Sequence, residues 1–294
     1  MPIPVFFSPK MVADSRSASP SAAKPAKVVE SWKAKFPIEV IEPTPVTIDQ
    51  IKAAHDPEFV DDVLACNRDN GFGNKSPEVA ATLPYTSGSM LSAAHCALMS
   101  GGAAAAPCSG FHHAEWCKAE GYCTFNGLMI TALALHAEGV KQIGILDLDM
   151  HYGNGTDDII AKMGVRHWCG MAGQHSVKHY TGGQHFRSPS QAKQFFSHDL
   201  PVTLAYMTGC DIVLYQAGAD PHVDDPQASE HGGWLTTDEL RKRDAMVFEA
   251  LAKAKIPVAW NLAGGYQVEP DGSIPKVLEI HDNTMRECVR VFGS

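Results

Sequence analysis

Four stretches of the sequence are almost continuously apolar over the length of a β-strand, and this pattern restricts the fold more than any other feature. Most of them end in Gly or Asp: 38-IEVIEP-43, 142-QIGILDLD-149, 211-DIVLYQAGAD-220 and 256-IPVAWNLAGG-265. Strands exposed on one face alternate apolar and polar residues, whereas continuous runs are typical of strands buried on both faces of a parallel sheet. The sequence therefore predicts a parallel sheet covered on both sides.

Helical patterns lie between these runs. In 236–255, Thr236 and Glu239 have the spacing of a capping box, and 126–139 is apolar almost all round and ends at Gly139. This alternation predicts an α/β three-layer (α/β/α) sandwich with a central, mainly parallel sheet. With 294 residues, of which 45% are hydrophobic, we expect one domain over 1–294.

Charge and cysteine usage exclude several classes of protein. The formal net charge of −9 argues against a nucleic-acid-binding surface, which needs clustered Lys and Arg. No run approaches the roughly 20 apolar residues of a membrane span. The eight cysteines form no C-x-x-C pair, and residues 1–12 do not resemble a secretory segment. We therefore expect reduced thiols and a cytoplasmic location; nothing in the sequence indicates an oligomeric state.

Chemically reactive residues follow the strand-like runs. In parallel α/β sheets, ligands bind beyond the carboxyl ends of the strands. Four strand ends carry such residues here: His112 and His113, then Asp149 and His151, then Asp220, and finally Tyr266 after two glycines. We expect them to share one crevice.

Asp147, Asp149 and His151 alternate at the end of one run. If the extended geometry continues to His151, all three side chains project from one side. Carboxylates in an apolar setting repel one another unless a cation is present. Asp149, His151 and Asp220 can then act as three metal ligands with one open position, the pattern of a catalytic zinc site, although Fe²⁺ or Co²⁺ also suits these ligands. The alternative is that the acids only stabilise the turn.

The adjacent histidines and the tyrosine suit hydrolysis. One imidazole can take a proton from the attacking water and return it to a leaving amine. The Tyr266 hydroxyl can donate to the oxygen of a carbonyl under attack. Taken alone, His112 and His113 could equally be exposed loop residues, and Tyr266 a packed aromatic.

Six blocks in chain order resemble the zinc-dependent histone deacetylase and acetylpolyamine amidohydrolase family, and the short class IV-like bacterial members above all. These are 110-GFHHAE-115, 121-GYCTFNG-127, 145-ILDLDMHYGNGT-156, 218-GADPHVDDP-226, 235-LTTDELRKRD-244 and 263-AGGYQ-267. The resemblance implies that Asp149, His151 and Asp220 bind Zn²⁺ and that Tyr266 is the electrophilic tyrosine.

It also implies roles for the remaining residues. His113 would be the general base and acid and His112 mainly electrostatic, with Asp147 orienting His112. Asn154 stands where many members have Asp, so His113 should keep a lower pKa.

The resemblance extends to the substrate channel and to a second ion. Gly121 and Tyr122 would line an acyl channel, with Tyr180 as the candidate for its opposing wall. The stretch 166–186 departs from the family's usual pattern. A structural potassium ion behind the strand is a further implication.

The implied reaction is the removal of an acyl group from an amine, with an acylated lysine side chain as the leading substrate and acetylated polyamines or small acylated metabolites as alternatives. A ureohydrolase with two manganese ions is a rival, but Gly153 stands where that class has a bridging Asp. A non-catalytic acyl-lysine-binding scaffold is another. Gln227 after Pro226 offers no acid at the channel mouth, which disfavours polyamines.

Three further segments have simpler interpretations. The Ser-, Pro- and Lys-containing stretch 13–27 is interpreted as a mobile loop. Glu115 is expected to begin a helix rather than to take part in catalysis. His175, His179 and His185 are expected to be solvated loop residues.

Overall fold

Seven parallel strands form one sheet at the centre of the molecule. The computed structural model describes residues 1–164, 176–181, 189–228 and 235–293. The strands are β1 (Ile3–Phe6), β2 (Ile38–Ile41), β3 (Ala103–Ser109), β4 (Gln142–Asp147), β5 (Ser176–Thr181), β6 (Ile212–Gly218) and β7 (Val258–Ala263). Their order across the sheet is β2-β1-β3-β7-β6-β4-β5, and each neighbouring pair is parallel.

Ten α-helices in the described ranges cover this sheet. They are α1 (Lys24–Lys35), α2 (Ile48–Ala54), α3 (Pro57–Leu64), α4 (Pro77–Ser100), α5 (Gly127–Ala137), α6 (Asn154–Met163), α7 (Pro189–Gln194), α8 (Leu200–Met207), α9 (Thr237–Ala254) and α10 (Pro275–Phe292). A 3₁₀ turn (Pro9–Met11) and a π-helical turn (Phe195–Asp199) complete the set. None of the helices in these ranges is both long and apolar enough to span a bilayer.

Two apolar cores lie on opposite faces of the sheet. Helices α2 to α6 pack with strand residues such as Ile145 and Leu214 on one face. On the other face, α1 and α7 to α10 pack with Leu146 and Trp260, and the ring of Trp32 lies 5.3 Å from that of Trp260. The predicted three-layer sandwich is therefore confirmed.

Local signals in the sequence account for several helix boundaries. Thr236 and Glu239 form the predicted capping box at the start of α9. The longest helix, α4, begins with Ser76 as N-cap and Pro77 in its first turn, and it ends at Gly101 in the left-handed conformation.

The segment 13–27 differs from the prediction of a mobile loop. Helix α1 already begins at Lys24, and Ser15, Ser19 and Ser21 are buried. Hydroxyl pairs satisfy these serines, since Ser19 Oγ donates to Ser21 Oγ at 2.9 Å. A polar composition therefore does not prevent this stretch from packing when its hydroxyl groups bond to one another.

The close approach of β6 to the end of β4 generates a testable prediction. A Cβ added at Gly218 would lie 2.4 Å from Asp149 Cα, so Gly218→Ala should force the backbone segments of Gly218 and Asp149 apart. We expect the free energy of unfolding in denaturant to fall by about 1–3 kcal/mol. Gly102→Ala is the control, because its Cβ would meet only the Ser100 side chain, at 3.3 Å. Equal effects of the two substitutions would contradict this account.

Candidate metal centre

Four neighbouring strands bring the sequence-predicted residues to one edge of the sheet. Strands β3, β7, β6 and β4 are adjacent, and each is followed within a few residues by one or two members of the group. These residues therefore lie close together, as expected from the sequence.

Asp149, His151 and Asp220 lie close enough to hold one metal ion. Each offers one ligand atom, and these atoms lie within 4.8 Å of one another. His151 Nδ1 is 3.2 Å from Asp149 Oδ1 and 2.9 Å from Asp220 Oδ2. Both carboxylates are buried, whereas 18% of the His151 side chain is exposed. The group therefore has one side towards the protein interior and one towards solvent.

The turn that presents these ligands differs from the predicted strand. Strand β4 ends at Asp147, so the extended geometry does not continue to His151. The prediction that strand alternation directs Asp147, Asp149 and His151 to one side was therefore wrong. Instead, Asp149 N donates to Asp147 Oδ1 at 3.1 Å, and His151 N donates to Asp149 Oδ1 at 2.9 Å. Each aspartate thus holds the backbone two residues further on, as in an Asx turn.

The charges of this group favour a bound cation. Burial and the carboxylate of Asp149 raise the pKa of Asp220 to about 7. Burial opposes the charged form of Asp149 as well, but the positive charges of His112 and His151 hold its pKa well below the usual range. A bound ion would replace the proton on His151, since an imidazole nitrogen binds a metal only through a free lone pair. Two carboxylate oxygens and one imidazole nitrogen form a donor set that fits Zn²⁺, and also Fe²⁺ or Co²⁺. The residues present therefore fit a divalent ion.

Asp147 anchors His112 and is not a member of the ligand group. His112 Nδ1 donates to Asp147 Oδ2 at 2.8 Å, and Gln216 Nε2 donates to Oδ1 of the same carboxylate at 3.0 Å. Burial opposes protonation of His112, yet Asp147 and Asp149 outweigh it and raise its pKa to about 9. His112 therefore carries a positive charge at neutral pH.

His113 has the opposite electrostatic character. Its ring centroid lies 4.0 Å from that of His112, and its Nδ1 donates to Asn154 Oδ1 at 2.6 Å. Burial and the neighbouring charge of His112 lower the pKa of His113. Burial is the largest cause, and the hydrogen bond to Asn154 opposes it. That the pKa is lower than in family members with Asp at this position stays a prediction.

Two glycines in the left-handed conformation present Tyr266. Gly264 has φ +53° and Gly265 has φ +83°, and a Cβ at Gly264 would lie 2.3 Å from Asp220 Cγ. The amide of Tyr266 donates to Asp225 Oδ2 at 2.9 Å. Burial, followed by the negative charges of Asp220 and Asp149, raises the pKa of the Tyr266 phenol well above its ordinary value. The phenol is therefore protonated and can donate.

Aromatic rings continue from Tyr266 towards the loop that precedes α4. The rings of Tyr122 and Tyr266 are 5.7 Å apart, and those of Phe72 and Tyr122 are 5.8 Å apart. A Cβ at Gly121 would lie 2.4 Å from His113 Cδ2, so this glycine lets the loop pass close to the histidine. Nothing in the sequence singles out Phe72, since it lies in a turn outside the six recognisable blocks.

Tyr180 does not lie where the sequence interpretation expected it. It belongs to β5 and packs with the core on the α7 to α10 side, beside Thr203. The prediction that Tyr180 forms the opposing channel wall was wrong, because its position on β5 directs its side chain into the core beneath α7 to α10. Much of the stretch 166–186, including His175 and His185, lies outside the described residues.

Two other expectations also need correction. His179 belongs to β5, and its Nδ1 donates to Asp157 Oδ1 at 3.0 Å, so it is not a solvated loop residue. Glu115 does not begin a helix: its backbone pairs with that of Lys118 in a tight turn.

Two buried basic side chains, Arg243 and Lys24, bind backbone carbonyls in the segments that carry the ligands and Tyr266. The sequence did not reveal either contact. Arg243 Nη1 donates to the carbonyls of Leu148 at 3.0 Å and Gly218 at 2.7 Å, and its Nε pairs with Asp244 at 2.8 Å. Lys24 is fully buried and donates to the Gly264 carbonyl. Burial lowers the pKa of Lys24 to about 8. Helical periodicity marks such residues only as inward-facing, and nothing local predicts their partners.

The position that would hold a second metal ligand has no room for one. A Cβ at Gly153 would lie 2.7 Å from Asp147 Oδ2. An aspartate there would bring two carboxylates into contact without space for an ion, so the geometry does not favour the dinuclear ureohydrolase alternative.

The ligand group generates a prediction for metal content. Asp220→Asn should lower bound zinc from about one equivalent to well below half after dialysis, because a neutral amide replaces a ligand whose charge the ion requires. Elemental analysis of the purified protein measures this. The matched control is Asp224→Asn, since 70% of the Asp224 side chain is exposed. Retention of a full equivalent in the Asp220 variant would contradict the assignment.

Comparisons with known proteins point in one direction. Residues 20–176 match the histone deacetylase domain family. Acetylpolyamine amidohydrolase 1 of Pseudomonas aeruginosa is 26% identical over 182 residues, which is 55% of this chain and 50% of that protein. Histone deacetylase 6 of Caenorhabditis elegans is 29% identical over 196 residues, which is 58% of this chain and 20% of that protein.

The fold agrees with a solved structure of similar length. The acetylpolyamine aminohydrolase from Burkholderia pseudomallei superposes with a TM-score of 0.71 at 18% identity, over 98% of this chain and 99% of that one. The sequence match covers only half of the Pseudomonas protein, whereas the fold match covers nearly all of this chain and of the Burkholderia structure. The resemblance to class IV-like members in particular stays a prediction. Because the family match covers more than half of the 294 residues, this chain belongs to the histone deacetylase family.

Proposed function

We propose that this protein catalyses metal-dependent hydrolysis of acyl-amine amides, with acyl-lysine as the leading substrate. The observation that carries the proposal is the convergence, at one edge of the sheet, of the Asp149, His151 and Asp220 ligand atoms with a histidine pair and a tyrosine. The ring centroid of His113 lies 5.8 Å from that of His151, so a proton-transfer group stands beside the ligand group.

In this proposal Asp149, His151 and Asp220 hold Zn²⁺, with Fe²⁺ or Co²⁺ as alternatives. When bound, the ion supplies Lewis acidity, which polarises the amide carbonyl and eases deprotonation of water. A structural K⁺ remains part of the proposal on resemblance alone.

The two histidines are assigned different tasks because their pKa values are shifted in opposite directions. His112, with its pKa raised to about 9 by Asp147 and Asp149 against the effect of burial, contributes a fixed positive charge. His113, with its pKa lowered by burial, is neutral at pH 7. Its Nδ1 is bound to Asn154, so Nε2 has the lone pair that accepts a proton from water and later donates it to the leaving amine.

Tyr266 and the neighbouring aromatic rings are assigned to the substrate. The protonated phenol donates to the oxyanion that develops on the amide oxygen. Gly121 and Tyr122, together with Phe72, form one side of a narrow approach in which a linear methylene chain can pack against the rings. Such an approach selects a slim, extended acyl-amine.

Acetylpolyamine hydrolysis is the second candidate. Its support is that two of the proteins compared above bear the name acetylpolyamine amidohydrolase or aminohydrolase. A non-catalytic acyl-lysine-binding scaffold is less well supported, because binding alone needs neither His113 nor the Tyr266 phenol.

In the same proposal the protein acts in the cytoplasm. Seven cysteines are free thiols within the described residues, which suits a reducing compartment. No partner other than the acylated substrate is proposed.

A substrate panel tests the proposed activity. The zinc-loaded protein should release acyl groups from lysine peptides and lose this activity with chelator, because the ion polarises the amide. Rates are compared for acetyl-lysine peptides, longer acyl-lysine peptides and acetylated polyamines. Preference for the polyamines would select the second candidate, and binding of acyl-lysine peptides without turnover would select the scaffold.

Removing the Tyr266 hydroxyl tests its assigned role. Tyr266→Phe should lower kcat about 10²–10³-fold with little change in KM, because the donor acts on charge that exists mainly in the transition state. Steady-state kinetics with the best substrate of the panel measure both constants. Tyr206→Phe is the matched control, as Tyr206 is 50% exposed on α8. A Tyr266→Phe variant with wild-type kcat would contradict the assignment.

A further inference from the structure

The side-chain amide of Asn154 is held by three groups at once. Its Oδ1 accepts a hydrogen bond from His113 Nδ1 at 2.6 Å. Its Nδ2 donates to Glu115 Oε1 at 2.9 Å and to Glu120 Oε1 at 2.8 Å. The amide therefore uses both of its N–H donors on carboxylates and its oxygen on the histidine.

These contacts fix the orientation of the amide. An ionised carboxylate can only accept hydrogen bonds, so the NH₂ group of Asn154 must face Glu115 and Glu120. The oxygen must then face His113. A carbonyl oxygen accepts only from a protonated nitrogen, and therefore His113 is held with its proton on Nδ1 and its lone pair on Nε2.

Both glutamates are themselves held in place. Glu115 lies in a turn where its N–H donates to the Lys118 carbonyl at 2.9 Å, while its own carbonyl accepts from His55 Nδ1 at 2.9 Å. Glu120 lies in the next turn, where Cys123 N donates to its carbonyl at 2.8 Å. Lys118 forms an ion pair with the Glu120 carboxylate. Two carboxylates are thus fixed by separate turns.

We infer that Glu115 and Glu120 are positioning residues that, through Asn154, keep His113 in the tautomer required for proton transfer. This inference rests on the proposed function, since it assigns the glutamates a task in the same reaction. Neither glutamate needs to contact substrate or metal for this task. It also gives a reason for Asn at position 154: with Glu115 and Glu120 in place, an aspartate would put a third carboxylate beside the two glutamates with no N–H group to donate to them.

The experiment exchanges donors and acceptors around position 154. Asn154→Asp with both glutamates retained should lower kcat about 10–100-fold, as is typical when an outer partner of a catalytic group is lost. The triple variant N154D/E115Q/E120Q should regain most of that loss, because glutamine amides can donate to the new carboxylate. Glu138→Gln is the control for a glutamate that pairs with a histidine, since Glu138 binds His95 in an exposed position. Melting temperatures of all variants establish that they are folded.

A second measurement does not depend on turnover. Long-range ¹H–¹⁵N spectra of histidine-labelled protein, with the His113 signal assigned by its loss in His113→Gln, report which ring nitrogen is protonated. In the wild type we expect the Nδ1–H form. In E115Q/E120Q we expect a mixture, because glutamine can also donate and the Asn154 amide can turn round.

The outcomes separate this inference from the proposed function. Failure of the triple variant to exceed N154D in kcat, or an unchanged tautomer ratio in E115Q/E120Q, would overturn the inference. If the wild type hydrolyses no acyl-amine, the proposed function fails, and the tautomer measurement alone then decides whether the glutamates position His113.

Discussion

Two carboxylates of like charge lie buried side by side at the end of the sheet, and the surrounding structure is organised around compensating them. Asp149 and Asp220 are 2% and 0% exposed, and an isolated buried carboxylate is costly unless a partner or a cation offsets its charge. Positive groups approach them from several directions. His151 lies between them. The charged His112 has its Nε2 3.7 Å from Asp149 Oδ1. Arg243 donates to the backbone carbonyls of Leu148 and Gly218, which lie close to the two aspartates in the sequence.

The same charge problem explains how the site is connected to the rest of the molecule. Arg243 comes from α9 and Lys24 from the start of α1, so helices far apart in sequence contact the turns that carry the ligands and Tyr266. Asp244, the partner of Arg243, accepts from Thr284 Oγ1 at 2.6 Å and also from the Tyr215 hydroxyl. The helical layer on this face therefore has an electrostatic task as well as a packing one. The opposite layer carries the Asn154 end of the site, through α6 and the turns of Glu115 and Glu120.

Sequence reasoning recovered the features that depend on local pattern. Continuous apolar runs identified β4, β6 and β7 as buried strands. The run at β2 is also a strand, but it lies at the edge of the sheet and is partly exposed, so its predicted burial was wrong. The residues just after the strands were correctly expected to meet, because parallel strands share one carboxyl edge. It did not recover features that depend on which side chains meet across the fold. The alternation argument for His151 was wrong because hydrogen bonds from Asp147 and Asp149 form turns where a strand was assumed. The position of Tyr180 was predicted wrongly because the direction of its side chain depends on the exact register of β5 in the sheet. Lys24 and the glutamates around Asn154 gave no signal, since nothing in a Ser- and Lys-rich stretch or in two adjacent turns indicates a partner 34, 39 or 240 residues away.

The strand order has a consequence for how the chain is made. Strand β7 (Val258–Ala263) lies between β3 and β6 in the middle of the sheet, although it is the last strand in the described sequence. Until these residues leave the ribosome, the nascent chain can form only two partial sheets, each with an unpaired apolar inner edge. Such edges are prone to pair with other chains. Synthesis of this protein therefore includes an interval in which the inner edges of β3 and β6 are both open to pairing with other chains.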